Sequence, residues 1–268
     1  MPDYGKYTVM KSNDPIWDHM IAEAKQLASN EPLLADYFDT AILQHKNLES
    51  AVSQILAQSF VDSALSTHEA QSVITEALNT DLTIGRSIRR DIEAAYERDA
   101  ACQHYLMPLV YFKGFQALQL YRVAHWLWQN ERFALALFFQ NSISERFTVD
   151  IHPAATLGSG IMIDHATGLV IGETAVVGDD VSILHSVTLG GSGCQQGDRH
   201  PKIGNGVLLA AGAKVLGNIT VGDGVKVGAG SLVLEAVPNH VTVAGVPAKI
   251  VGAPTEENPA LEMDQYIE

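Results

Sequence analysis

His165 sits in the string Ile163-Asp164-His165-Ala166-Thr167-Gly168, where an imidazole follows directly on a carboxylate. An imidazole titrates near neutrality and can take a proton from an alcohol as that oxygen attacks a carbonyl. A carboxylate on its other nitrogen fixes the tautomer and stabilises the cation that forms. Asp164 and Asp150 are the nearby candidates for that task. A second chemistry-bearing string, Gly197-Asp198-Arg199-His200-Pro201-Lys202, closes a loop that begins at Gly190-Gly191. The planar fork of Arg199 suits a carboxylate. Gly190-Gly191 alone reads only as a turn, and Asp99, in Glu97-Arg98-Asp99, reads by itself as a solvated acid on a charged helix.

The elements carrying these residues follow two different periods. From Ile151 an aliphatic residue recurs every six positions: Ile151, Leu157, Ile163, then Ile171, Val177, Ile183, Leu189, then Ile203, Leu209, Val215, Val221, Val227 and Val233. Thirteen such hexads predict a parallel β-helix of about four coils, three hexads to a triangular coil, each aliphatic stacking on its counterpart one coil on. The repeat breaks twice, around Asp164–Gly168 and between Leu189 and Ile203. In a solenoid such breaks map to loops on one face, often the binding face, and these two hold His165 and the Arg199-His200 pair.

Before about Val149 the apolar spacing is helical. Asn13-Asp14-Pro15 predicts a capped helix start, followed by helical stretches over Leu33–Leu43, Leu48–Phe60, Ala70–Leu78, Ile84–Tyr96, Leu109–Trp128 and Phe133–Ile143. The expected class is therefore α+β: a helical domain over residues 1–146, a left-handed parallel β-helix over 147–252, and a flexible acidic tail over 253–268.

Composition narrows the partners. The 268 residues carry a formal charge of −14, which argues against nucleic acid or an anionic membrane as partner. Cys102 and Cys194 lie far apart without CxxC spacing, giving neither a disulfide framework nor a zinc-cysteine site; Cys194 reads as an ordinary exposed thiol. Met1–Lys11 lacks the apolar run of a signal peptide. The apolar region Ala117–Phe139 is interrupted by Arg122, His125, Glu131 and Arg132, short of the roughly 20 apolar residues of a membrane span. The expectation is a soluble, cytoplasmic protein.

Several strings resemble the serine acetyltransferases: Val149-Asp150-Ile151-His152-Pro153-Ala154-Ala155, Ile163-Asp164-His165-Ala166-Thr167-Gly168, Ile171-Gly172-Glu173-Thr174-Ala175, Ser186-Val187-Thr188-Leu189-Gly190-Gly191 and Gly197–Lys202. Ala244-Gly245-Val246-Pro247-Ala248 is generic to hexapeptide acyltransferases, and the likeness reaches into the helical half at Pro108–Phe115 and Tyr121–Trp126. The resemblance implies acetyl transfer from acetyl-CoA to L-serine without an acyl-enzyme, and with no metal. It assigns His165 as general base oriented by Asp150. It gives the substrate ammonium to Asp99 and Asp164, and its carboxylate to Arg199 assisted by His200, with Glu173 shaping that pocket. Gly191, Ala211 and the Lys249 region would line the coenzyme A channel. It further implies inhibition by L-cysteine, a homotrimer or dimer of trimers with sites between adjacent subunits, and a complex with O-acetylserine sulfhydrylase through a C-terminal tail ending in Ile. Here the chain ends Tyr266-Ile267-Glu268, so that last feature is unmatched.

Three other readings compete. The scaffold also serves zinc lyases resembling the gamma carbonic anhydrases, for which His152, His165, His185 and His200 supply enough imidazoles. Acetyltransferases of sugar or antibiotic hydroxyls share the repeat, and a non-catalytic scaffold needs no active histidine.

Overall fold

The computed structural model describes residues 13–61, 63–193 and 196–266; Met1–Lys11, Cys194, Ile267 and Glu268, on which readings above rest, lie outside them. The helical half comprises α1 (Pro15–Asn30), α2 (Ala35–Phe38, continuing as a π turn over Asp39–Leu43), α3 (Leu48–Ala57), α4 (Thr67–Thr80), α5 (Leu82–Arg98), α6 (Met107–Tyr111), α7 (Lys113–Gln129) and α8 (Phe133–Phe147). Asp14 caps α1 by accepting from the Trp17 N–H at 3.3 Å. The stretch expected as one helix over Leu109–Trp128 is two helices, because Phe112 is extended and turns the chain. The turn brings Gly114 against the β-helix, where a Cβ would run into the Ile163 carbonyl and lie 3.1 Å from the Ala166 methyl. Only glycine allows that approach.

Each predicted aliphatic falls in one of thirteen short strands: β1 (Val149–Ile151), β2 (Thr156–Leu157), β3 (Met162–Ile163), β4 (Leu169–Ile171), β5 (Val176–Val177), β6 (Ser182–Ile183), β7 (Thr188–Gly190), β8 (Lys202–Ile203), β9 (Leu208–Leu209), β10 (Lys214–Leu216), β11 (Thr220–Val221), β12 (Lys226–Val227) and β13 (Leu232–Val233). Two more, β14 (Thr242–Gly245) and β15 (Ala248–Gly252), follow. They stack in three parallel sheets: sheet I, β1-β4-β7-β10-β13; sheet II, β2-β5-β8-β11; and sheet III, β3-β6-β9-β12-β14, closed by β15. Register matches the repeat, as in Ile151↔Ile171, Ile171↔Leu189 and Ile163↔Ile183. The solenoid runs to about five coils rather than four. Val237 bridges to Val221, and β14 (Thr242–Gly245) pairs with β12 beyond the last regular hexad. β15 (Ala248–Gly252) then turns back antiparallel on β14.

The halves are joined by one buried ionic node. Asp91 of α5, fully buried, accepts from Arg122 Nε and Nη2 at 3.0 and 2.7 Å, from Gln119 at 3.0 Å and from the Ile161 N–H at 2.9 Å. It ties α5, α7 and the strand before the His165 corner into one unit.

The segment after Pro254 is the one expected as a flexible tail. It packs back onto the solenoid as far as Tyr266, with helix α9 (Pro259–Glu262) and a buried Ala260 whose carbonyl accepts from Ser182 Oγ at 2.7 Å. The acidity that reads as tail-like is matched by Lys226, whose side chain is 5% exposed and ion-paired with Asp264 at 3.0 Å. Among the described residues no helix is long and apolar enough to cross a membrane.

Candidate active site

The candidate side chains on the β-helix gather at two corners flanking sheet I. One corner follows the sheet III strands and carries Asp164, His165, His185 and Ala211, coil above coil. The other follows the sheet I strands and carries His152, Glu173, Gly191, Arg199 and His200.

At the first corner the repeat break forces His165 and Ala166 into the left-handed region, with φ of 56° and 61°. Non-glycine residues occupy that region at an energetic cost that surrounding structure must hold in place. The holding contacts here are the buried Ala166 methyl against Gly114 and a Lys113 ammonium donating to Thr167 Oγ1. The result pushes the imidazole outward, 73% exposed, while the Asp164 carboxylate stays 23% exposed with 3.6 Å between the two groups. Both border a cavity of about 330 Å³ shared with Asp99 at the end of α5 and with Gly114 of α7. Asp99 is fixed there by accepting the Ala101 N–H at 2.8 Å. Burial pushes the Asp164 carboxyl above the usual carboxylate range; His165 opposes this and the nearby Asp99 adds to it. Two carboxylates crowded on one cavity favour a cation between them.

The second corner has the opposite character. Arg199 Nη2 donates to Glu173 at 2.6 Å, and that bond holds the Glu173 carboxyl below its usual range. Thr174 Oγ1 accepts the backbone N–H of Arg199 at 3.0 Å and of His200 at 3.1 Å, seating the end of the long loop. The His200 ring is buried where Gly172 has no side chain, and its Nδ1 accepts the Thr174 N–H at 3.1 Å. Burial first, then Arg199, lowers the His200 imidazole below its ordinary range; burial does the same to His152. The corner sets the Arg199 guanidinium, paired with Glu173, beside two imidazoles whose charged form burial disfavours.

The remaining predicted residues lie as follows. Asp150 stands on β1 and accepts from Gln140 at 2.7 Å, so within one chain the carboxylate in ion-pair reach of His165 is Asp164. Gly191 lies in contact range of Arg199. Ala211 is at the first corner two coils beyond His165, its carbonyl accepting from Gly230 N at 2.8 Å. Lys249 is on β15, exposed and 3.7 Å from Glu235. Sequence reasoning missed Lys113 and Thr174. Thr174 sits in register with the hexads and leaves no periodic trace.

Roughly 13 Å of strand and turn separates Gly168 from Gly172 at about 3.3 Å per residue. Strand β4 of sheet I thus lies between the two corners within one chain.

Comparison with known proteins identifies the family. Residues 16–120 match the family model "Serine acetyltransferase, N-terminal", and residues 200–235 match that of the bacterial transferase hexapeptide, six repeats. A serine acetyltransferase of Salmonella typhimurium is 53% identical over 94% of this chain and 92% of its own length. The chain belongs to the serine acetyltransferase family. The crystal structure of the serine acetyltransferase from Vibrio cholerae superposes with a TM-score of 0.93 at 55% identity, over 94% of this chain and 97% of the other. A serine acetyltransferase in complex with cysteine gives 0.92 at 50% identity, over 94% and 98%. Serine acetyltransferases from Brucella abortus and Neisseria gonorrhoeae, in complex with coenzyme A and with serine respectively, align with TM-scores of 0.87 and 0.86 at 49% and 47% identity. Family membership also sets aside the lyase reading.

Proposed function

We propose that this chain transfers the acetyl group of acetyl-CoA to the hydroxyl of L-serine, giving O-acetyl-L-serine and CoA, the first step of cysteine biosynthesis. The observation that carries the reading is the projection of His165 from a strained corner beside the acidic cavity of Asp99 and Asp164. The two acids take the substrate ammonium. The serine hydroxyl then faces His165, whose imidazole accepts the proton as the oxygen attacks the thioester carbonyl. The tetrahedral intermediate collapses, the C–S bond breaks, and the imidazolium returns the proton to the departing sulfur. No acyl-enzyme forms.

The substrate carboxylate goes to Arg199, with His200 and Glu173 shaping the pocket. The reading joins the two corners at a seam between adjacent copies, in a trimer or a dimer of trimers, as the resemblance implies. A neighbour's corner laid on sheet I brings its His165 to Asp150, which takes the orienting role. Gly191, Ala211 and Lys249 flank the coenzyme A channel along the same inter-subunit seam. L-cysteine carries the same ammonium and carboxylate with a thiol in place of the hydroxyl, so it competes for the serine site and inhibits; the family's cysteine complex supports this. The sulfhydrylase partnership and a cytoplasmic location rest on the resemblance.

The test is thiol release from acetyl-CoA with L-serine against a panel of amino-acid and sugar hydroxyls. Release that depends on L-serine is expected. Release with sugars at equal efficiency, or without any amino acid, contradicts the proposal.

A further inference from the structure

Lys113 opens α7, where a lysine is electrostatically out of place. The first turn of a helix carries the positive end of its dipole, which disfavours a cation. Phe112, just before it, is extended and supplies no side-chain cap. In a chain of formal charge −14, the one hydrogen bond this ammonium makes among the described residues goes to a neutral hydroxyl, Thr167 Oγ1. The same hydroxyl donates to the His165 carbonyl at 3.4 Å. Lys113 therefore reaches the backbone of the general base through a single intervening side chain.

That backbone needs holding. Ala166 N donates to Asp164 O at 2.6 Å and Thr167 N to His165 O at 2.7 Å, so two successive three-residue turns are each closed by a hydrogen bond. Their central residues, His165 and Ala166, have positive φ, the rare and strained form of such a turn. It persists only where surrounding contacts over-determine it. Asp164 N on Ile183 O and Ser186 N on Thr167 O, both at 2.8 Å, anchor the two ends of the corner to the next coil. Among the described residues, Lys113 supplies the one side-chain hydrogen bond from the helical half to this corner. The His165 ring is 73% exposed, so its aim is set by the backbone of the corner rather than by packing around the ring.

We propose that Lys113 is a positioning residue for the general base, its ammonium holding Thr167 so that the strained corner keeps the His165 imidazole on the cavity shared with Asp99 and Asp164. The inference rests on the reading of His165 as proton acceptor. The stem of Lys113 borders the same cavity, but its Nζ is engaged by Thr167. Its loss therefore falls on the rate and not on binding.

The experiment compares the full-length native protein with Lys113→Met, Lys113→Arg and Thr167→Val, measuring kcat, KM for each substrate, and acetyl-CoA binding by calorimetry. Methionine keeps an unbranched stem without the charge. Because a misplacement of about 1 Å costs on the order of 10²-fold, it is expected to lower kcat about 10- to 100-fold, leaving both KM values and acetyl-CoA affinity within about threefold of native. Arginine, which keeps a donor, should recover most of the rate. Thr167→Val should reproduce the loss, and it carries the test should Lys113→Met fold poorly. Lys113→Met combined with Thr167→Val should be no worse than either alone, since both remove one link. In a His165→Ala background, Lys113→Met should leave the residual rate unchanged, a result that a merely structural lysine does not give. A kcat within twofold of native in both Lys113→Met and Thr167→Val overturns the proposal, as does an undiminished loss in the His165→Ala background. A native rate in His165→Ala alone overturns the underlying reading, and that measurement does not involve the Lys113 variants.

Discussion

Gly172→Ala tests whether the second corner depends on an absent side chain. A Cβ at this position would lie 2.8 Å from His200 Cε1, with Nε2 and Cδ2 nearer still, whereas ordinary contact begins at 3.4 Å. The ring must retreat by ~1 Å or more to reach van der Waals separation. Its Nδ1 now stands 3.1 Å from Thr174 N and 2.9 Å from Thr174 Oγ1, so such a retreat takes both beyond hydrogen-bonding range. Two lost bonds at about 1 kcal/mol each, with a buried nitrogen left unpaired, make a loss of roughly 2–4 kcal/mol. Because Thr174 also seats the Arg199 backbone, the guanidinium shifts too, and serine KM should rise about tenfold or more. Thermal melts and steady-state kinetics read both effects. The control is a double-mutant cycle with His200→Ala: if the clash is with the imidazole, the alanine at 172 should cost almost nothing once the ring is gone. An unchanged melt and serine KM in Gly172→Ala, or additive losses in the double variant, refute the reasoning.

Asp91→Ala leaves Arg122 buried without its partner and should destabilise the protein by about 3–5 kcal/mol, read as a lower denaturation midpoint. Glu173→Gln bears on pH. The Glu173 carboxyl is depressed by Arg199, so its contribution is present above the unfolded carboxylate value of about 4.3 and is lost as pH falls through the folded value. The stability gap between native protein and Glu173→Gln should accordingly stay constant from about pH 6 to 8 and close below about pH 4.3, followed by melting across that range. Mixing His165→Ala subunits with Arg199→Ala subunits should restore activity above either parent, because some seams then receive both intact corners; a mixture no better than its parents contradicts the shared site.

The fold was legible wherever burial imposes a period. All thirteen hexad aliphatics point inward because each coil repeats the same triangular section, and the two breaks exposed the corners that carry His165 and Arg199. What periodicity does not encode came from the resemblance, as with Asp99, or escaped notice. Asp99 lies 65 positions before Asp164 and meets it only because the Asp91–Arg122 node clamps α5 to the solenoid. The split at Phe112 is dictated by Gly114 approaching a strand, a tertiary contact with no local signature. The pairing of Asp264 in the C-terminal segment with the buried Lys226 ammonium likewise has no trace in the local sequence.

Acetyl transfer to serine by His165→Ala, measured alongside its affinity for acetyl-CoA, bears most directly on the claim that this imidazole takes the hydroxyl proton. The account predicts a rate lower by about 10²–10⁴-fold with acetyl-CoA affinity unchanged. A variant that keeps its rate within a few-fold of native contradicts it.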